Sequence, residues 1–281
     1  MTDEGQVLEL DMPVEAEAEE EFVRFSLLFR LQHMAMFTGV IILIITGLPL
    51  KYADTGWAMS FFHAVGGVKA SGIVHRVGAA ILIAVGTFHM GYIAFCADGR
   101  RNFKALLPGF KDFGDVYRNV IYFFGFKDKG ARFGRFSYLE KFDYWAVYWG
   151  MVVMIFSGLI LWFHNFAMSL MPKVVLDIAR EAHSDEALLA TLAIVVWHFY
   201  NVHFNPHRFP MSWAWLTGKI GKEEMIREHP LEYEKITGEL LDEPPVDASS
   251  LIVAGLAEAE IEEPAEEQTA PVEETHEEKQ S

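Results

Sequence analysis

The sequence predicts an all-α integral membrane protein: a four-helix bundle with interfacial cytoplasmic segments and a disordered acidic C-terminal tail. Three observations carry this. Four stretches, roughly 28–50, 72–96, 144–166 and 186–204, are long and apolar enough to span a bilayer. Basic residues gather on alternate connections between them. The net charge of −16 belongs to the ends: residues 1–21 hold nine acidic groups and no Lys or Arg, and residues 239–281 hold fourteen against a single Lys. Residues 22–238 therefore carry +6, a basic membrane domain between two acidic tails.

Taken in order, the N-terminal tail lacks a basic n-region, so no cleaved signal peptide is expected. Residues 97–143, between spans two and three, contain ten Lys or Arg, and Arg208, Lys219, Lys222 and Arg227 follow span four. The opposite connections hold only Lys51 and Lys69, then Lys173 and Arg180. Positive-inside counting puts both termini and the long middle loop in the cytoplasm of a multi-pass protein. Within that loop, FGDVYRNVIYFFGF reads as an interfacial amphipathic helix or a docking platform. Trp57, Trp149, Trp162, Trp213 and Trp215 lie near span ends, as an aromatic belt requires. From residue 239 onward Pro, Glu, Ala and Thr dominate, which predicts disorder apart from the short apolar patch LIVAGL.

Six histidines lie in or at the rim of the spans: His33, His75, His89, His183, His198 and His203. An ionisable side chain in a spanning helix is costly and faces a partner inside the bundle. On an α-helix, His75 and His89 are about 21 Å apart and within about 40° of one face; His183 and His198 are about 22 Å and 60° apart. The orientation places His75 and His183 at an outer level and His33, His89 and His198 at an inner one. His203 is rotated about 140° from His198 and faces another side. Imidazoles at two depths on facing helices have the geometry to hang two haems across a bilayer, with two axial nitrogens per iron. The outer pair reads as His75 with His183. The inner pair contains His198 with either His33 or His89, and four inner histidines leave a third haem open. Cys96 is the only cysteine, which excludes an intrachain disulfide, an iron–sulfur cluster and Cys-x-x-Cys-His attachment, so any haem is non-covalent haem b.

Other features have a plainer reading. His63, His164 and His207 are expected at loops or rims, and His229 and His276 in solvent. Gly39 and Gly47, Gly78 and Gly86, and Gly150 and Gly158 recur at a spacing of eight, first for close helix packing and second for the approach of a flat macrocycle. Arg30, Arg76, Arg100, Arg101 and Arg208 are candidates for haem propionates or for interface anchoring.

The stretch RFSLLFRLQHMAMFTGVIILIITGLPLKY, with R-x-x-H ahead of a span ending T-G-L-P-L, resembles the first helix of a known group. These are the cytochrome b subunits of membrane-bound formate dehydrogenases, nickel–iron hydrogenases and thiosulfate reductases. HRVGAAILIAVGTFH, RFSYLEKFDYW and AHSDEALLATLAIVVWHFYNVHFNP continue the resemblance, which covers about residues 24–220. It implies a di-haem, four-helix subunit of the bacterial inner membrane that exchanges electrons between a redox partner and menaquinone or ubiquinone. The partner would be an iron–sulfur protein or a multihaem cytochrome. Position by position, it implies His33 with His198 inside and His75 with His183 outside; His89 departs from the pattern.

No metal–dithiolene, iron–sulfur, phosphate-loop or nucleic-acid motif is present, so substrate chemistry belongs to another polypeptide. For a quinone, His89, Asn201, His203, Tyr138 and Lys141 offer polar groups near the inner level, and histidine suits proton exchange near neutral pH. Two other functions stand beside this one: a histidine-based metal or proton transporter, and a haem-free anchor whose histidines only pack.

Overall fold

The computed structural model describes residues 20–206 and 208–241. The rest of the two acidic tails, including LIVAGL, and His207 and His276 lie outside the described residues. A short strand β1 (Glu21–Val23) leads to α1 (Leu27–Lys51), then α2 (Gly56–Val65) and α3 (Val68–Phe95). Helices α4 (Ala97–Leu106) and α5 (Phe110–Phe123) precede α6 (Tyr138–Trp162) and α7 (His164–Leu170). Helix α8 (Lys173–Leu192) runs on through π-helical turns at Ala193–His198 and Tyr200–Phe204. The last described elements are α9 (Ala214–Thr217), β2 (Lys219–Gly221), α10 (Lys222–Glu228) and α11 (Pro230–Thr237).

Among the described residues, four helices are long and apolar enough to cross a membrane: α1, α3, α6 and the 32 residues Lys173–Phe204. Three of them start earlier than apolarity alone suggests. Helix α3 begins at Val68, before Lys69 and Arg76, and α6 begins at Tyr138, ahead of Glu140, Lys141 and Asp143. A capping box fixes the start of α6: the Ser137 amide donates to Glu140 Oε2 at 2.7 Å and the Glu140 amide to Ser137 Oγ at 3.3 Å. Helix α8 starts at Lys173, thirteen residues before the expected limit, because its first three turns are charged on an exposed face. His183 is thus well inside a helix instead of at its mouth.

Helix α1 packs mainly on α3, and α6 mainly on α8, making two hairpins that meet sparingly. Glycine sets the first contact: a Cβ on Gly78 would lie 3.2 Å from the Gly39 carbonyl oxygen and 2.9 Å from Ile42. At the end carrying α2 and α7, Lys51 Nζ ties the hairpins together, donating to Asp185 Oδ1 at 2.7 Å and Ser184 Oγ at 3.1 Å. At most 17% of each span's most apolar window is buried within the chain, so most apolar side chains face outward, where lipid would cover them.

The opposite, basic end is a polar cap. Strand β1 pairs antiparallel with β2, Phe22 facing Ile220, over a small core of Phe22, Ala214, Ile220, Met225 and Tyr233. Helix α5 is amphipathic, the form that both readings of the middle loop require. Phe110, Phe113, Tyr117 and Phe124 form an exposed stripe, and Lys111 and Arg118 occupy the other side.

His229 corrects a sequence expectation. It is 4% exposed instead of solvated: its Nδ1 lies 2.8 Å from the Gly134 carbonyl and its Nε2 accepts from Arg24 Nη2 at 3.0 Å. Its surroundings are contributed by segments far apart in sequence, which local hydropathy does not register.

Candidate functional site

The two hairpins meet through histidine at two levels. Toward the α2 end, the rings of His75 (α3) and His183 (α8) have centroids 6.3 Å apart. Toward the basic end, the rings of His33 (α1) and His198 (π-helical turn) are 6.5 Å apart. Each pair takes one ring from the α1/α3 hairpin and one from the α6/α8 hairpin.

The α2-end pair is oriented by matching devices. Thr46 Oγ1 donates to the Ile42 carbonyl at 2.6 Å, so its lone pair accepts Nδ1–H of His75 at 2.9 Å. Ser157 Oγ donates to the Val153 carbonyl at 2.6 Å and accepts Nδ1–H of His183 at 3.0 Å. Both hydroxyls set the tautomer with the lone pair on Nε2. The next residue in each case is glycine. A Cβ on Gly47 would come to 3.2 Å from His75 Cε1, and one on Gly158 to 3.1 Å from His183 Cε1. The spaced glycines thus divide: Gly39 and Gly78 serve helix packing, and Gly47 and Gly158 make room for imidazoles.

The basic-end pair is held differently. His198 Nδ1 faces Asp143 Oδ2 at 3.4 Å, and the other oxygen of Asp143 accepts Trp197 Nε1–H at 2.6 Å. His33 Nδ1 is buried without a hydrogen-bond partner among the described residues. The sequence reading missed Asp143 because its third span was drawn from residue 144. The signal that finds it is S-x-x-E at Ser137–Glu140, which starts the helix early enough to put Asp143 inside.

His89 is engaged at both nitrogens. Gln32 Nε2 donates to the Leu28 carbonyl, leaving Gln32 Oε1 to accept from His89 Nδ1 at 2.9 Å; Tyr144 OH lies 3.1 Å from Nε2. The remaining candidates have separate partners. Lys141 Nζ holds Asp112 at 2.8 and 2.9 Å, and Tyr138 OH accepts from Asn119 Nδ2 at 3.3 Å, both toward α5. Asn201 Nδ2 donates to the Trp197 carbonyl at 2.9 Å, and His203 packs against Phe199 and Phe204. His63 and His164 are exposed. Among the arginines, Arg101 pairs with Asp98, Arg208 with Glu228, and Arg100 with the Ala94 carbonyl. Arg76 lies over the Trp162 ring at 5.7 Å, and Arg30 bonds the Leu216 carbonyl while its Nε stays buried without a partner.

The residues present fit a haem at each level. Two metal–imidazole bonds of about 2 Å, with half of each ring added, separate ring centres by roughly 6 Å. The orphaned Nδ1 of His33 and the glycine recesses at His75 and His183 add room and polarity for such a group. Among the described residues, no group of three or more His, Cys, Asp or Glu side chains has the arrangement of a metal-ion site.

No curated protein matches the chain. The family model described as prokaryotic cytochrome b561 matches residues 24–212, about two thirds of the chain and all four spans. The chain belongs to the prokaryotic cytochrome b561 family, haem b proteins that carry electrons in the membrane.

Proposed function

We propose that this chain is the haem b membrane subunit of an oxidoreductase complex, passing electrons between a redox partner protein and the quinone pool. It would resemble the subunits of formate dehydrogenase, hydrogenase and thiosulfate reductase. The observation that carries the reading is the pair of imidazole pairs, 6.3 and 6.5 Å between rings, each bridging the same two hairpins. His75 and His183 would hold one haem and His33 and His198 the other. His89, bonded to Gln32 and Tyr144, would be a supporting group and not a ligand. Arg76 and Arg30, neither of them in an ion pair among the described residues, would meet propionates near the two levels.

The charge pattern supports a chain whose basic end, and both termini, face the cytoplasm of a bacterial inner membrane. On that side His203 and Asn201 would hydrogen-bond the quinone head, and His203 would exchange its protons. Lys141, neutralised by Asp112, and Tyr138, bonded to Asn119, would line the approach. The redox partner, an iron–sulfur protein or multihaem cytochrome, would supply or take the electrons.

The test is haem stoichiometry and ligand loss. A pyridine haemochrome assay on the purified protein should give about two non-covalent haems per chain. His75→Ala and His183→Ala should each remove one spectral component, and His33→Ala and His198→Ala the other. No haem, or retention of both haems in all four variants, overturns the reading. His203→Ala should slow haem oxidation by quinone with both spectra intact; unchanged kinetics would move the quinone site elsewhere.

A further inference from the structure

Of the six histidines in the spans, only His198 has a carboxylate partner among the described residues. His75 and His183 rest on hydroxyls, His89 on an amide and a phenol, and His33 Nδ1 on nothing. Asp143 lies in the second turn of α6 and is pinned from one side. Trp197 and His198, consecutive on the π-helical turn, donate to its two oxygens at 2.6 and 3.4 Å. A π turn holds more residues than an α turn, so neighbouring side chains diverge less and both can reach one carboxylate.

The chemistry differs from that of the hydroxyl pairs. Asp143 and His198 are half-buried within an apolar span, with side chains 27% and 37% exposed, where an ionic acceptor binds N–H more strongly than a neutral one. A carboxylate on Nδ1–H draws the proton toward itself and makes the opposite nitrogen, Nε2, a stronger donor to a metal. A stronger donor favours the ferric over the ferrous state. Thr46 and Ser157 also donate to backbone carbonyls and give no such negative charge.

We infer that Asp143 is a positioning residue that fixes the ring of His198 and, by polarising it, lowers the reduction potential of the centre at the basic end. This rests on His198 being an axial ligand there. The role adds no electron or proton to the reaction; it sets how readily the basic-end centre gives its electron up.

The test is an equilibrium redox titration of the holoprotein, followed in the α band, with haem counted by pyridine haemochrome. Asp143→Asn and Asp143→Thr, which put a neutral acceptor at this position, should keep about two haems. In both, one component should shift upward by at least tenfold in its ferrous-to-ferric ratio, about 59 mV for a one-electron couple, and the other should stay fixed. Asp143→Glu should restore the original potential. If one of the neutral variants fails to accumulate, the other carries the test. An unmoved potential in a haem-replete neutral variant, or an equal shift of both components, overturns the role of Asp143. His198→Ala separates the two ideas. It should delete the component that Asp143→Asn shifts, and if it keeps both haems, the ligand assignment fails instead.

Discussion

At the scale of single residues, the α2-end site depends on two dipeptides, Thr46-Gly47 and Ser157-Gly158, each a hydroxyl that orients a ring beside a glycine that admits it. A methyl at either glycine already lies within 3.2 Å of imidazole carbon, so a branched side chain must push the ring off its position. Gly47→Val and Gly158→Val should therefore each lose the haem proposed for His75 and His183 and keep the one proposed for the other level. Gly91→Ala is the control, because a Cβ there meets nothing within 4 Å. Loss of haem in the control, or its full retention in both valine variants, would show that these glycines do not shape the site. Removing a hydroxyl is milder. Thr46→Val should keep the haem but weaken its retention about 10- to 100-fold, the range for groups that orient a metal ligand, read as the rate of haem transfer to a competing apoprotein.

At the scale of elements, the informative segment is α8 with its π-helical continuation. A straight α-helix would turn His198 about 60° from His183. The wide turns at Ala193–His198 and Tyr200–Phe204 reset that phase, and they also change where His203 points relative to His198. No residue in AIVVWH announces a π turn, since it contains neither Pro nor Gly. The sequence carried the depths of the histidines but not their final rotation. A turn closed by i→i+5 bonds holds one residue more than an α turn. Deleting Val195 should let the turn relax to α, with His198 near its present phase and both haems kept. Inserting one alanine after Val195 adds about 100° and should abolish the basic-end haem alone. If both variants lose the same haem, the π turn does not act as a one-residue phase adjuster. The other helix limits were partly legible: Ser137 with Glu140 marks a start that hydropathy places too late, and charged first turns hid the beginnings of α3 and α8.

At the scale of the molecule, two helical hairpins touch little and share their histidines in cross-pairs, so the prosthetic groups would supply much of the contact between them. Span number, the two histidine levels and the amphipathic α5 could be read from apolarity, charge and spacing. The basic-end cap could not, because the bonds of His229 join it to segments 95 and 205 residues away. His229 is the joint. Its Nδ1–H donates to the Gly134 carbonyl in either protonation state, but its Nε2 lone pair accepts from Arg24 only in the neutral ring. Burial lowers its pKa, and of the charges facing it, Arg24 lowers it further while Glu140 and Glu228 oppose. The unfolded ring titrates near ~6.5, so the cap's stability from His229 is fully present above that pH and is lost as pH falls through the lowered folded value. Protonation would set a cation against the Arg24 guanidinium, which is 3% exposed. Hydrogen exchange of residues 222–237 in the detergent-solubilised protein should therefore quicken between about pH 7.5 and 5.5, after correction for intrinsic rates. His229→Gln keeps a donor and an acceptor without titrating, and it should flatten that profile while both haem spectra stay unchanged. A wild-type profile without this acceleration, or an equally steep one in the glutamine variant, would remove His229 as the pH-sensitive joint of the cap.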